Sequence, residues 1–295
     1  MKQLIIKDKK YQQLLQGYES WLEVQGYSES SVYNMPILAQ GFLYYQQELG
    51  RSLKDWQGVH YKEYMAYTQQ RKNQRRAGGL SANHLNKIAH SLEQLQRYLL
   101  QGHQVEHFTN LKRLKDSSKP LNIFSPEQIK ELYAACPKTL IGSRQKAMLG
   151  LCYGCGLRSK EATNLELKDI WWDKQLLQVR QSKTKKSRLV PLPAKVQLDL
   201  QAYAQQTRPL LVQDRLMPYF LLTLRGGKTK HAILYKSLHR LLERADLPPT
   251  GLHTLRHSIA SHLTQSGMKS EQVAQLLGHQ TLDSTQIYVQ LNNQA

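Results

Sequence analysis

The sequence is short of cysteine, of acidic residues and of long apolar runs. Three cysteines in 295 residues offer no disulfide framework and fit a reducing compartment. No apolar stretch approaches the roughly 20 residues that a membrane-spanning helix needs. Residues 1–10 are charged and hold no apolar signal core, so the chain is expected in the cytoplasm with no membrane partner. Asp and Glu number 22 against 41 Lys and Arg, a net charge of +19. That excess points to a polyanionic partner, nucleic acid before membrane.

Metal chemistry finds little support. Cys152 and Cys155 form a CxxC, but no second ligand pair lies at zinc-site spacing. The pair falls in an apolar run, residues 147–157, that reads as buried helix. His253, His257 and His262 share a helical spacing, yet no carboxylate is near in sequence and Arg256 opposes a cation there. No cofactor motif is present.

The first 110 or so residues read as helical. Apolar residues recur at three- and four-residue spacing near 8–25, 30–49, 59–76 and 81–102, as in Leu85, Ile88, Leu92, Leu95 and Leu99. Ser81 is a candidate helix cap. Tyr61, Tyr64 and Tyr67 recur every three residues, a packing stripe first and a DNA-facing stripe second. A polar, basic stretch ending at Pro120 reads as a linker. The expected division is therefore a helical domain over 1–111, a linker over 112–120 and a mixed domain over 121–295. Residues 1–118 hold 16 basic and 10 acidic residues; the remainder hold 25 and 12. Both halves are thus basic, though charge alone is ordinarily a solvated face.

In the second half, Ser125-Pro126 opens a helix, another covers about 143–155, and residues 169–191 read as strands. Residues 176–179 and 188–192 flank a basic hairpin tip, residues 182–187. Helices follow near 194–207, 231–245, 254–266, 270–277 and 281–289. Trp171 and Trp172 are expected to divide between core and surface.

Cutting DNA without a metal needs cations to meet the charge that builds on the phosphate. It also needs a nucleophile, and a proton for the leaving oxygen. The planar fork of arginine suits the first task. Arg158 follows a glycine-flanked helix end, His253 and Arg256 lie three apart on one helix face, and His279 precedes Tyr288 by nine residues. Lys183 sits at the hairpin tip.

Four segments carry a resemblance: GLRSKEATNL (156–165), SKTKKSRLVPL (182–192), HTLRHSIASHL (253–263) and LLGHQTLDSTQIY (276–288). In this order they resemble the tyrosine recombinase family, in particular its Xer-like, simple integrase branch, over about residues 8–290. The resemblance implies a mainly α fold with a small β-sheet. It comprises a helical, SAM-like core-binding domain and a mixed α+β catalytic domain, closed on the duplex as a C-shaped clamp. It implies that Arg158 and Arg256 grip the non-bridging oxygens, and that His253 accepts a proton and returns it in the reverse step. Lys183 would protonate the leaving 5′ oxygen, His279 bond the phosphate, and Tyr288 attack to give a 3′-phosphotyrosyl link. Glu161 and His257 are implied as supporting residues.

The implied partner is double-stranded DNA with inverted-repeat core sites, bound by a homo-tetramer across two sites, alone or with a related second recombinase. No metal, nucleotide or other cofactor is implied. The expected setting is the nucleoid, and the family is often borne on mobile elements. Only seven residues follow Tyr288, fewer than in Xer-like relatives, and the N-terminus is too short for the arm-binding domain of phage-λ-like integrases. Two rival readings are a type IB topoisomerase, which uses similar chemistry, and a non-catalytic DNA-binding regulator on the same fold. The regulator has no need of the whole residue set.

Overall fold

The computed structural model describes residues 4–73, 77–102, 104–115, 122–180, 187–214 and 216–278. The chain forms two compact units, Met1–Lys119 and Pro120–Ala295.

The first unit holds four helices: α1 (Lys9–Val24), α2 (Glu29–Glu48), α3 (Gly58–Gln70) and α4 (Ala82–Gln101). Side chains cap three of them. Asp8, Ser28 and Ser81 each accept a bond from a first-turn N–H, worth about 1 kcal/mol apiece. The expected stripe of α4, Leu85 to Leu99, is buried along its whole length. It packs with Tyr18, Leu22, Phe42 and Leu43, all fully buried. Tyr18 satisfies its buried hydroxyl by donating to the Ser91 carbonyl, 2.9 Å.

Helix α3 stops at Gln70, short of the expected residue 76. Arg71 is extended, and Lys72 pairs with Gly79 across an antiparallel bridge. The Gly78–Gly79 pair permits that reversal, with Gly78 at φ +95°. Tyr61 and Tyr64 are buried, while Tyr67 is exposed and stacks on Tyr45 at 4.8 Å. The start of the basic stretch also belongs to this unit: Arg113 pairs with Glu93, and the Leu114 N–H donates to Asn86.

The second unit begins with α5 (Pro126–Ala134), α6 (Leu140–Leu149) and, after one π-helical turn (Gly150–Gly154), α7 (Ser159–Asn164). Ser125 and Gln128 form the capping box of α5. A three-stranded antiparallel sheet follows, β1 (Ile170–Trp171), β2 (Leu176–Arg180) and β3 (Ser187–Pro191) in that order. Leu177 pairs with Val190 and Val179 with Arg188, so these four share one face. Leu177, Val179 and Val190 are buried. The hairpin tip, with Lys183, lies outside the described residues.

Helices α8 (Ala194–Ala202), α9 (Arg208–Leu211), α10 (His231–Arg244), α11 (Leu252–Gln265) and α12 (Ser270–Leu277) follow, and the helix expected over 281–289 lies outside the described residues. Its core joins the α6 region to the sheet and to α8, α10 and α11, through Met148, Leu151, Leu177, Leu200, Leu238 and Leu255. Cys152 and Cys155 are buried in it as free thiols. Burial pushes both up to about 12, which leaves them inert packing groups. Trp171 and Trp172 do not divide as expected, since both are half-buried. Trp172 packs on the core, and the Lys174 ammonium lies over the Trp171 ring at 5.4 Å.

Candidate active site

The centre of the site is one carboxylate. The π turn delivers the chain to Gly156 and Arg158, and Arg158 takes the N-cap position of α7. Glu161 stands three residues on, and its Oε2 accepts the Arg158 backbone N–H at 2.8 Å. That is local helix capping. The same carboxylate also accepts Arg158 Nη1 at 3.0 Å and both terminal nitrogens of Arg188, each at 2.9 Å. Arg256 Nη1 lies 3.7 Å from Oε2. Three guanidiniums therefore converge on Glu161. The nearby Lys168 pairs with Glu166.

The arginines also reach the end of α12. Arg188 Nε donates to the Leu276 carbonyl at 3.0 Å, Arg256 Nη2 to that of Leu277, and Arg158 Nη2 to that of Gly278 at 3.3 Å. A helix C-terminus leaves carbonyls without intrahelical donors and carries partial negative charge. Guanidiniums answer both needs. Arg256 Nη1 further donates to Gly156 at 2.6 Å.

Two glycines make this approach possible. Gly278 has φ +66°, and a Cβ there would lie 3.0 Å from Arg188. Gly156 has φ +60°, and its Cβ would meet Leu277 at 2.6 Å. Any larger residue would strain the backbone and separate the cations from the helix end.

The histidines come from α11. Leu255 fills the core while Arg256 runs inward at 4% exposure, and His253 stays at the exposed start of the helix. His253 and His257 have ring centroids 6.4 Å apart. Partial burial of its ring, then the charges of Arg256 and Arg158, lower His253 from the usual imidazole value. Burial, then His253 and Arg256, do the same to His257. That shift favours the neutral imidazole, the state a proton acceptor needs. Glu161 is pulled up by burial, but the bonds and charge of Arg188, the Arg158 N–H and Arg256 prevail and lower it. It stays ionised.

The structure thus gathers Arg158, Glu161, Arg256, His253 and His257 in one place. His279, Tyr288 and Lys183 lie outside the described residues. Sequence reasoning missed two neighbours. One is Arg188, which figured there only within the SKTKKSRLVPL segment. The other is His231, whose Nδ1 lies 2.8 Å from Ser159 Oγ and whose charge bears on His253. Among the described residues no group of three metal-ligating side chains comes together.

Two outcomes follow. Glu161→Gln strips Arg188 and Arg256, with side chains 11% and 5% exposed, of their carboxylate. The expected loss is about 3–5 kcal/mol of stability, as for a broken buried pair, read as a lower urea midpoint; an unchanged midpoint would refute it. Acid should also unfold the protein early. His253, His257 and His262 all have lowered folded-state values, so the unfolded chain binds protons more readily. Their contribution is whole above the unfolded histidine value of about 6.5 and is lost as pH falls through the lower folded values. The melting temperature should drop from pH 7 to pH 5, and a flat profile over that window would contradict the assignment.

With this geometry in hand, the comparisons are decisive. The profile described as "Phage integrase family" matches residues 122–295. The chain is similar to tyrosine recombinase XerA of Thermococcus kodakarensis, 28% identical over 286 residues, covering 95% of this chain and 91% of the relative. It is 33% identical over 216 residues to tyrosine recombinase XerC of Oceanobacillus iheyensis, covering 71% and 70%. Its fold resembles that of XerH site-specific recombinase bound to palindromic difH substrate, with a TM-score of 0.73, 21% identity, and 96% and 85% coverage. The chain belongs to the phage integrase family. Within it, the relatives mark a tyrosine recombinase of the Xer type, a strand-transferring enzyme of site-specific DNA recombination.

Proposed function

We propose that the chain cleaves and rejoins duplex DNA through a 3′-phosphotyrosyl bond to Tyr288. The observation that carries this reading is the convergence of Arg158 and Arg256 on Glu161, with His253 beside them. Arg158, with a side chain 39% exposed, meets the scissile phosphate from the open side, and Arg256 supports it from below.

In the forward step the Tyr288 oxygen bonds to phosphorus and its proton passes to His253. The bond to the 5′ oxygen breaks, and Lys183 supplies that oxygen's proton. His279 donates a hydrogen bond to the phosphate. His257 supports His253 within α11. Rejoining runs the same steps backwards, so no cofactor is required: the phosphodiester energy is held in the phosphotyrosine.

The substrate in this reading is a core site of two inverted half-sites. Four protomers, identical or shared with a related second recombinase, act across two such sites in the nucleoid. The outcome, whether integration, excision, inversion or resolution, follows from how the two sites are arranged. A home on a mobile element fits this chemistry. Many cations beyond the site, within the +19 total, supply sequence-independent affinity.

The test is covalent capture. Wild-type protein is incubated with DNA from the flanks of its own gene and with a genomic library, the adducts are trapped under denaturing conditions, and the attached DNA is sequenced. Adducts at a discrete site with inverted half-sites support the reading. Adducts scattered without sequence preference would replace it with a topoisomerase, and the absence of any adduct would replace it with a DNA-binding regulator.

A further inference from the structure

Arg188 has no part in the chemistry described so far, yet it makes the most regular contacts in the site. Its terminal nitrogens bridge both oxygens of Glu161, and its Nε holds the Leu276 carbonyl. At 11% side-chain exposure it is turned away from solvent, unlike Arg158. It sits on β3, two residues from the buried Val190 and on the same face. A cation on the core face of a strand is costly unless paired and hydrogen-bonded, and here it is both.

The charge count gives this arrangement a consequence. Arg158, Arg188 and Arg256 bring three positive charges, and Glu161 brings one negative charge. Three less one leaves two. A phosphodiester has one negative charge, and attack by a tyrosine oxygen adds another in the transition state. The surplus therefore matches the charge to be stabilised. Without Arg188, Glu161 would draw the charge of Arg158 and Arg256 to itself, and the surplus would fall to one.

We propose that Arg188 is a positioning residue of the recombinase. It neutralises and fixes Glu161 so that Arg158 and Arg256 keep their charge for the scissile phosphate. It also clamps the end of α12, from which the chain runs directly into His279. Gly278 supports the assignment, since its missing Cβ leaves the space that the Arg188 guanidinium occupies. The inference rests on the reading of the site given above.

The experiment compares wild type, Arg188→Gln and Arg188→Lys in the full-length protein. Single-turnover cleavage is followed on a strand-blocked duplex carrying the site that wild type captures. A matched duplex has its scissile phosphate replaced by a neutral methylphosphonate. Melting curves and DNA affinity are recorded alongside.

Arg188→Gln should bind the duplex within about threefold of wild type, because most affinity comes from other cations. Its cleavage should fall about 100-fold, the scale of a mis-set catalytic group. On the methylphosphonate, whose transition state carries one charge fewer, the gap should narrow about tenfold. Arg188→Lys restores the charge without the planar fork and should recover part of the rate.

A residue needed only for folding would depress both substrates alike, and equal losses on both would overturn the proposal. So would wild-type cleavage by Arg188→Gln. Should Arg188→Gln fail to fold, Arg188→Lys decides: wild-type rates from it would show that the fork positions nothing. If wild type itself forms no adduct, the phosphotyrosyl reading fails and this inference falls with it.

Discussion

Tyr288→Phe abolishes the covalent DNA adduct and leaves DNA affinity within about threefold of wild type. This expectation follows from what the substitution removes. Phenylalanine lacks only the oxygen that bonds to phosphorus, so the cations that hold the duplex are untouched. No water takes over, because general-base help from His253 serves a nucleophile placed in line, and the step draws its advantage from that placement. Adduct formation should fall below detection, at least about 10⁴-fold.

The assay is an immunoblot or radiolabel shift after denaturation, on the duplex captured by wild type. An adduct that survives in Tyr288→Phe would sink the assignment and turn attention to the other 15 tyrosines. Three of the five described ones in the catalytic unit are poor substitutes. Burial pushes the phenols of Tyr133, Tyr153 and Tyr203 up. Tyr153 is also bonded to His262 Nδ1 at 3.0 Å, and the Tyr203 hydroxyl accepts the Leu222 N–H at 3.0 Å.

How far the sequence could be read depended on how local each signal was. The α4 stripe and the Ser125-Pro126 cap are local patterns, and the structure carries both. The two hairpin strands were legible as short apolar runs around a polar tip, and the structure pairs them with Leu177, Val179 and Val190 on one face. The end of α3 was not, since its apolar spacing runs on past Gln70 and only the bridge from Lys72 to Gly79 stops it.

The site was legible by residue type but not by partner. Glu161 could be seen as a cap or as an active-site acid; the structure makes it both, because one carboxylate has enough lone pairs for the Arg158 N–H and for the guanidiniums. Arg188 did leave a trace. A charged residue at the core-facing position of an alternating strand demands a buried partner, and that demand is visible two residues before Val190. The partner was not visible, because Glu161 lies 27 positions away. His231 left no trace at all, as its link to Ser159 spans 72 positions. The grip on α12 is likewise a matter of tertiary placement, made through backbone carbonyls that any sequence would supply.

The two arginines proposed to grip the phosphate should part company when each is replaced by alanine. Both variants should lose cleavage by at least about 10²–10³-fold, the cost of one preorganised donor to developing charge. Their stabilities should differ. Arg158 is 39% exposed at its side chain; water can take over at its contacts with Glu161 and Gly278, and the expected change is below about 1 kcal/mol. Arg256 is 5% exposed. Its removal leaves the carbonyls of Gly156 and Leu277 without that donor in a place where each orphaned acceptor costs about 1–3 kcal/mol. It also takes a charge from beside Glu161 and opens a cavity under α11. Arg256→Ala should therefore lower stability by about 3–5 kcal/mol, and Arg158→Ala should not. Urea denaturation read beside single-turnover cleavage separates the two. Equal stabilities would mean that Arg256 is held by its charge alone and that the carbonyl contacts contribute nothing. Retained cleavage in either variant would remove that arginine from the phosphate clamp.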